Sequence, residues 1–295
     1  MKPSLRGVVP SKTVMNTRSR ALIAATLMVG VAAASGVAGA GSAVLPQARP
    51  ARKTAPAKPA APAPEMKVPF AAGETLTYNV GWSNYFTAGT ATMRVAERRP
   101  ISGSRAAYIL VAEGKPGSIL SKLYDLYYKA ETQLDTRTLL PLTASVFSKE
   151  GSRTRVKTTH FKGAGRTADY SVQTSTLNKR QLSVAPYTQD ALSAIYVLRT
   201  VLYFKPGEFV KMPVTSGGDV YNAEIRVGPA PESIKTDAGT FQAWKVSINA
   251  LDTATRQPAA RGMHVWFSND ARRLPVKVEA GLAVGAFTLT LSAAR

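Results

Sequence analysis

The side chains that could carry acid–base chemistry are few in this chain. Its two histidines, His160 and His264, lie in separate segments. Catalysis needs two or more acid–base groups in one cleft, and no motif joins the candidates Glu74, His264 and Asp270. The sequence has no G-x-S-x-G elbow, P-loop, dinucleotide-binding glycine turn or H-E-x-x-H pair. The sequence therefore predicts no catalytic residue.

Metal and redox chemistry also lack suitable residues. The chain has no cysteine, which excludes disulfides, thiolate-bound zinc and cysteine-ligated iron–sulfur clusters. It also excludes a lipid-modified N-terminal cysteine. Since only two histidines and no cluster of carboxylates are present, we predict no metal site and no cofactor.

Aromatic and basic residues are better suited to binding than to catalysis. Trp266 shares a predicted strand face with His264, and Arg273 follows closely, so a cation beside an indole ring can bind an anion or a sugar. Trp82 and Tyr128 belong to aromatic clusters that can line a curved sheet and hold an acyl chain. These five residues are the predicted ligand-binding residues. The alternatives are core packing for the aromatic residues and an ordinary turn at Arg273.

The N-terminus has the order of a secretory signal. Arg18 and Arg20 precede the apolar run Ala21–Ala34, and small residues follow as far as Ala40. We therefore predict a signal peptide over residues 1–40, with an uncleaved anchor as the alternative. The expected location is the periplasm or cell envelope, and the protein is not expected to be a lipoprotein.

Residues 41–69 are rich in proline, alanine and basic residues and predict a disordered linker.

The formal charge of residues 1–70 is +9, from ten basic residues and one acidic residue. Residues 71–295 carry +11, from 28 basic and 17 acidic residues. A basic surface favours a lipid or an anionic envelope polymer as partner, including a peripheral membrane contact. Nucleic acid is not expected, because the predicted location is outside the cytoplasm. The oligomeric state is left open.

Period-two alternation dominates residues 70–295, which we predict to form a single β-rich domain. Thr75–Trp82 places Leu76, Tyr78, Val80 and Trp82 on one face, a pattern typical of half-buried antiparallel strands. Arg153, Arg155 and Lys157 alternate on another strand and predict a solvated basic stripe. Further strands are predicted at 88–97, 107–112, 124–134, 143–149, 154–161, 167–173, 209–214, 220–227, 233–236, 241–249, 262–268, 275–280 and 286–292.

The fold class is all-β and mainly antiparallel, as a strongly curved sheet, an open barrel or a sandwich. Gly217-Gly218-Asp219 and Asp237-Ala238-Gly239 predict hairpin turns. Residues 188–204 instead predict a helix, capped by Thr188 and stopped by Pro206-Gly207. A lone helix in a β protein either covers the core or closes over a cavity.

Several short motifs occur together in a characteristic order. They are Gly73-Glu74-x-Leu76-x-Tyr78, Trp82, Ala88-Gly89, Tyr124–Tyr128, Asp190–Ala194 with Leu198-Arg199, Gly239-x-Phe241, Trp244, Trp266-x-Ser268-x-Asp270, Arg273-x-Pro275 and Gly285. In this order they resemble the bacterial envelope family known as domain of unknown function 3108, over roughly residues 70–292. The resemblance implies export and a β-rich body, and it implies no activity, substrate or cofactor.

Three functional hypotheses follow. The first is an exported, non-enzymatic envelope protein that binds a lipid or other amphiphile, which predicts a largely apolar cavity of several hundred Å³. The second is a structural or assembly factor that binds other envelope proteins or wall polymer through an exposed groove, patch or strand edge. The third and least favoured is an envelope hydrolase, which requires acid–base groups that converge in a cleft.

Overall fold

The structure is a computed structural model that describes residues 64–82, 86–103, 105–117, 121, 125–162, 166–259, 261–282 and 285–295. The predicted signal peptide and residues 41–63 of the predicted linker lie outside this part of the chain. Residues 64–69, which the sequence assigned to the linker, contact the domain. The backbone N–H of Met66 donates to the carbonyl oxygen of Thr136 at 2.9 Å, and Val68 packs against the core.

The chain forms one large sheet and one described helix of regular length. The elements are β1 (Thr75–Trp82), β2 (Phe86–Ser102), β3 (Arg105–Pro116), β4 (Leu126–Asp135), β5 (Pro141–Glu150), β6 (Arg153–Phe161), β7 (Thr167–Gln173), β8 (Leu177–Ser183), β9 (Gln189–Asp190), α1 (Ala191–Val201), β10 (Phe209–Ser216), β11 (Asp219–Thr236), β12 (Gly239–Asp252), β13 (Arg261–Ser268), β14 (Pro275–Leu282) and β15 (Gly285–Ala294). The all-β, mainly antiparallel prediction is confirmed.

The strand order requires the sheet to curl. It runs β8-β7-β6-β5-β4-β3-β2-β1-β15-β14-β13-β12-β11-β10-β9, so β8 and β9 occupy opposite edges although they are consecutive in sequence. A flat sheet of 15 strands at a spacing of about 4.8 Å would be roughly 65 Å wide. The connection Val184–Thr188 spans at most roughly 20 Å. The two edges must therefore approach each other, which selects a strongly curved single sheet over a sandwich.

Contacts across the seam between the two edges show this approach directly. The Nη2 of Arg180, on β8, donates to the carbonyl oxygen of Gly218, in the β10–β11 turn, at 2.6 Å. Gly218 has a φ of +95°, and a Cβ there would lie 2.7 Å from the ring of Tyr170. Glycine at this position therefore supplies both the backbone conformation of a two-residue hairpin and the space for the opposite edge.

Alternation along the strands fills the concave side of the sheet. Leu76 and Tyr78 of β1 are almost fully buried, as are Val246 of β12 and Leu291 of β15. They belong to one apolar cluster that also includes most of the buried side chains of α1. Because α1 follows the edge strand β9 directly, it enters this concave side and packs against β3, β4, β9 and β10.

The start of α1 differs from the prediction. Asp190, not Thr188, is the N-cap, and its Oδ1 accepts hydrogen bonds from the backbone N–H groups of Leu192 and Ser193. Gln189 and Asp190 pair in parallel with β10 as strand β9, which keeps the chain extended up to the cap. Thr188 instead donates its hydroxyl to the carbonyl oxygen of Ala185 at 2.6 Å.

A buried ion pair holds the C-terminal half of α1. Arg199 is fully buried, and its Nη1 and Nη2 donate to the two carboxylate oxygens of Glu74 at 2.6 and 2.9 Å. Nη2 also donates to the carbonyl oxygen of Arg272 at 2.9 Å. The guanidinium carbon lies 5.4 Å from the ring centroids of both Phe70 and Tyr196, which also contact each other. The pair thus joins the helix to the start of β1 and to the β13–β14 turn.

Breaking this pair should destabilise the domain strongly. We expect Glu74→Gln to lower the free energy of unfolding by about 3 kcal/mol, because a guanidinium that remains buried would lose its counter-charge. Urea unfolding followed by tryptophan fluorescence measures the change. The matched control is Glu97→Gln, since Glu97 and Arg99 form an ion pair whose side chains are about half exposed, and its effect should stay below about 0.5 kcal/mol. Equal effects of the two substitutions would contradict this role of the buried pair.

Candidate ligand-binding site

An apolar cavity of about 160 Å³ lies between α1 and the inner face of the sheet. Leu192, Ile195 and Leu198 form its helical wall, and the other walls are strands β2, β3 and β10 to β14. Met93 of β2 and Val265 of β13 are among the strand residues that line it. Its volume is smaller than the several hundred Å³ that the amphiphile hypothesis predicted.

Small side chains account for the cavity. Seven of its lining residues are alanines: Ala112, Ala191, Ala194, Ala223, Ala250, Ala259 and Ala280. Ala223 and Ala250 are direct cross-strand partners on β11 and β12. Since α1 is held at both ends by polar contacts, it does not settle onto these small residues, and the space beneath it remains open.

A second, polar cavity of about 30 Å³ lies at the N-terminus of α1. Thr132, Lys157, Thr159 and Asp190 contribute polar groups to its wall. Ala191, Leu192 and Ser216 line both cavities, so the two share a wall at the first turn of the helix. The structure thus has an apolar cavity beside a smaller cavity with several polar side chains in its wall.

Asp190 is the central polar group of the smaller cavity. Its Oδ1 accepts a hydrogen bond from the hydroxyl of Thr132 at 2.8 Å, in addition to the two capping bonds. Its Oδ2 is buried and has no hydrogen-bond partner among the residues described. Burial raises the pKa of the Asp190 carboxyl above its ordinary value, against the opposing effect of hydrogen bonds from Ser193 and Thr132.

Lys157 of the predicted basic stripe lies on the concave side of the sheet and is partly buried, whereas Arg153 of the same stripe is exposed to solvent, as predicted. Lys157 pairs with Val146, whose side chain packs against the core, and both residues line the polar cavity. Desolvation, with a further contribution from the charge of Arg155, lowers the pKa of Lys157. Alternation could show that the cations share a face, but it could not show which face turns inward.

Two of the predicted ligand residues, His264 and Trp266, lie together on β13, where Trp266 is buried and donates its indole N–H to the carboxylate of Glu232. The rings of His264 and Trp266 meet edge to face with centroids 5.9 Å apart. The ammonium groups of Lys245 and Lys277 lie 5.2 and 4.8 Å from the Trp266 ring centroid. Desolvation lowers the pKa of His264, and Lys245 lowers it further. The imidazole Nδ1 lies 3.1 Å from Oγ of Ser247.

The other three predicted residues lie in separate places. Trp82 stacks on Phe287 near the end of β1, and the buried Tyr128 donates its hydroxyl to Glu150. Arg273 caps α1, because its Nη1 donates to the carbonyl oxygens of Arg199 and Leu202 at 2.9 Å each. The five residues therefore do not form one site, and neither cavity is lined by any of them.

Sequence reasoning missed the residues that line the two cavities. Alanines on strands and on one side of a helix give no pattern that differs from ordinary core packing. Asp190 and Lys157 did appear in the sequence analysis, in the motif Asp190–Ala194 and in the basic stripe. Their meeting at one cavity depends on pairing between β5 and β6 and on the position of β9.

An open groove of about 510 Å³ lies on the outer surface of β10 to β13. It contains His264, Asn249 and Ser247 as hydrogen-bonding groups, and Phe209 as a partly exposed aromatic ring. The guanidinium of Arg226 lies 5.0 Å from the Phe209 ring centroid. Polar groups beside an exposed ring suit a polymer segment better than a buried apolar ligand.

The three acid–base candidates have separate structural partners. Glu74 binds Arg199, and Asp270 accepts hydrogen bonds from the hydroxyl of Ser268 and the backbone of Arg272 and Arg273. His264 lies on the outer face with Ser247. Within the residues that the structure describes, no group of three or more histidine or acidic side chains is placed to hold a metal.

The family model for DUF3108, a protein of unknown function, matches residues 77–292. This chain belongs to that family. The match covers the strands from β1 to β15, so the DUF3108 domain includes both cavities and the outer groove. No curated protein matches the chain. None of the helices described is long and apolar enough to cross a membrane.

Three solved structures are similar to the DUF3108 domain. A beta-barrel-like protein of the domain of unknown function DUF1849 from Brucella abortus has a TM-score of 0.47 at 10% identity, with coverage of 76% of this chain and 98% of that chain. A Bacteroides fragilis protein described as a putative exported protein with a YmcC-like fold has a TM-score of 0.29 at 13% identity, with coverage of 78% of this chain and 99% of that chain. A Parabacteroides distasonis protein described as a putative lipoprotein has a TM-score of 0.30 at 11% identity, with coverage of 79% of this chain and 100% of that chain. All three TM-scores lie below 0.5, so the fold described above rests on the strand pairing of this chain.

The raised pKa of Asp190 predicts a pH-dependent stability. Between the ordinary aspartate pKa of 3.8 and the raised pKa, the folded state keeps a proton that the unfolded chain has lost. The contribution of Asp190 to stability therefore falls as the pH rises through this interval and is constant above it. Asp190→Asn keeps a cap and a neutral side chain at every pH.

Urea unfolding of both proteins over a pH series tests this expectation. The free energy of unfolding of Asp190→Asn minus that of the wild type should increase as the pH rises from 3.8, and then level off. Other titrating groups are common to both proteins, so their effects cancel in the difference. A difference that stays constant or decreases with pH would contradict the raised pKa.

Proposed function

We propose that this DUF3108 protein is an exported, non-enzymatic protein of the cell envelope that binds an amphiphile beneath α1. The observation that carries the proposal is the apolar cavity, which lies beside the polar cavity at the first turn of the helix. A ligand with an apolar body and a polar end matches this arrangement. The predicted secretory signal and the basic charge of the chain support an envelope location.

The size of the apolar cavity limits what it can hold. An engineered cavity of about 150 Å³ in another protein binds benzene, so 160 Å³ accepts a ring or a short alkyl chain. A long acyl chain would require α1 to move outward. The helix is clamped by Asp190 at one end and by Arg199 and Arg273 at the other, which opposes such movement.

Binding of a small alkane tests the proposal directly. Hexane, titrated into the protein that lacks residues 1–40 and followed by ligand-observed NMR, should bind saturably. Ala250→Leu should weaken this binding by at least about tenfold, because the larger side chain occupies part of the cavity. Native mass spectrometry of the exported protein would then identify a copurifying natural ligand.

Ala254→Leu is the matched control for this experiment. It makes the same change in the exposed turn after β12, away from the cavity, and should leave hexane affinity unaltered. If the wild type gives no saturable binding, or if the two variants behave alike, the cavity is not a ligand site.

Wall-polymer binding is a second candidate function, favoured by the outer groove. Phe209 is 41% exposed there, an unusual exposure for a phenylalanine, and it is flanked by Arg226 and Lys211. A ring flanked by cations can contact a sugar face while the cations bind acidic groups of the polymer.

Cosedimentation with purified peptidoglycan separates this candidate from the first. If it is correct, the wild type pellets with the polymer and Phe209→Ala remains in the supernatant. Leu177→Ala serves as control, because Leu177 is 51% exposed on the edge strand β8 and does not line the groove. A wild type that stays soluble, or a Phe209→Ala variant that still pellets, would remove wall-polymer binding from consideration.

A further inference from the structure

Exposed apolar side chains are concentrated in one short segment of the chain. Of the seven large apolar side chains that are exposed among the described residues, three lie within residues 201–211, which form the end of α1, the following turn and the start of β10. They are Val201, Tyr203 and Phe209, with exposed fractions of 40%, 76% and 41%. We call residues 201–211 the aromatic segment. Single exposed apolar residues are normal, whereas a cluster of them is typical of an interaction surface.

The fold holds Tyr203 at the surface. Leu202 and Phe204, its neighbours in sequence, are buried in the core. The carboxylate of Glu208 accepts hydrogen bonds from the backbone N–H of Tyr203 at 3.0 and 3.1 Å and from that of Lys205 at 3.3 Å. The backbone N–H of Glu208 donates in turn to the carbonyl oxygen of Lys205 at 3.1 Å. The turn is therefore fixed by its own hydrogen bonds and by two buried side chains, and the ring between them faces solvent.

Cations accompany both exposed rings. The ammonium group of Lys205 lies 5.4 Å from the ring centroid of Tyr203. The ammonium group of Lys211 and the guanidinium of Arg226 lie 5.8 and 5.0 Å from the ring centroid of Phe209. Each ring is thus presented to solvent together with positive charge.

The acidic groups of this region are already engaged. Glu208 binds the backbone of the turn, and Glu224 pairs with Lys211 at 3.3 Å. Within the part of the chain that the structure describes, neither Lys205 nor Arg226 forms an ion pair. Aromatic rings that enter the boundary of a bilayer, with cations that reach its anionic headgroups, are typical of proteins that lie on membranes.

We propose that the aromatic segment docks this protein on an anionic lipid bilayer. Val201, Tyr203 and Phe209 enter the boundary between headgroups and acyl chains, and Lys205 and Arg226 bind lipid phosphates. This inference adds an interaction surface to the proposed function and does not depend on the cavities beneath α1.

A bilayer fits the aromatic segment better than the wall polymer does. Phe209 could serve either partner, but Val201 and Tyr203 do not line the outer groove. An aliphatic side chain is stabilised by entering an apolar phase, which a hydrated polymer does not offer.

The chain enters the domain at the same end of α1. Arg199, two residues before Val201, donates from Nη2 to the carbonyl oxygen of Pro69 at 3.4 Å, and its guanidinium carbon lies 5.4 Å from the ring centroid of Phe70. Residues 46–63, which precede this point, contain four basic residues and no acidic residue. Basic residues next to a membrane contact add to the attraction for anionic lipids, so the charge of residues 46–63 supports docking at this end.

Flotation with lipid vesicles tests the proposal. The protein purified after export is mixed near neutral pH with vesicles of phosphatidylcholine alone, or of equal parts phosphatidylcholine and phosphatidylglycerol. We expect the partition into the anionic vesicles to exceed that into the neutral vesicles by at least about fivefold at low salt, and this preference to decrease at high salt.

Two substitutions separate the ring from the charge. Tyr203→Ala should lower the partition into anionic vesicles about fivefold, because apolar area no longer enters the bilayer. Lys205→Gln should lower it about fivefold at low salt, since a lysine near an anionic surface contributes a factor of this size. The effect of Lys205→Gln should decrease at high salt, whereas that of Tyr203→Ala should persist.

Tyr187→Ala and Lys179→Gln are the matched controls. Tyr187 is 76% exposed, as Tyr203 is, but it lies in the connection between β8 and β9. Lys179 is exposed on β8. Both control variants should partition as the wild type does, and urea unfolding curves verify that every variant is folded.

The outcomes separate this inference from the other functions. A wild type that does not float with anionic vesicles, or that floats equally with neutral vesicles, would overturn the docking surface. Equal partition of Tyr203→Ala and Tyr187→Ala would also overturn it, because the ring at 203 would then have no special role. Binding to peptidoglycan without binding to vesicles would assign Phe209 to the wall-polymer function instead. Since hexane binding is measured separately, none of these results changes the test of the apolar cavity.

Discussion

The buried guanidinium of Arg199 is the constraint on which the interior of this protein depends. A fully buried cation requires a counter-charge and acceptors for its donors. Glu74 supplies the charge, and the carbonyl oxygen of Arg272 supplies a further acceptor. Because these partners come from the start of β1 and from the β13–β14 turn, one side chain connects α1 to distant parts of the sheet. Arg273 of the same turn then binds the helix C-terminus.

Polar clamps at both ends of α1 explain why the interior is not filled. Asp190 fixes the first turn through Thr132 and the capping bonds, and Arg199 fixes the last. The helix is therefore positioned by directional contacts at its ends, and its middle does not need to pack at full density against the strands. Alanines at facing positions, such as Ala223 and Ala250, leave the remaining space. The helix covers the core and also closes over a cavity, so both alternatives from the sequence describe part of its role.

The curl of the sheet divides this interior into two chemically different parts. Strands β10 to β14 present alanine, valine and isoleucine to the helix. Strands β4 to β7 present Thr132, Lys157, Thr159 and Tyr170 near its N-terminus. The two halves of the sheet meet only because β8 and β9 are joined by a short connection and the seam is closed by contacts such as Arg180 to Gly218. The cavities beneath α1 therefore result from the topology as much as from any local motif.

The sequence by itself determined the β-rich class, most strand positions and the presence of one helix, because alternation and turn residues are local signals. It missed β8, whose residues are nearly all polar and exposed, and it placed the N-cap of the helix two residues early, at Thr188 and not at Asp190, because the pairing of β9 with β10 is not local. It predicted Trp82, Tyr128, His264, Trp266 and Arg273 as ligand-binding residues, and only the tertiary structure showed that these five do not lie together and that Asp190, Lys157 and a set of alanines line the cavities. Which strand face turns inward, and which distant residues meet there, follows from long-range pairing and from the closure of the sheet. The alternation of apolar and polar residues within a single segment encodes neither of them.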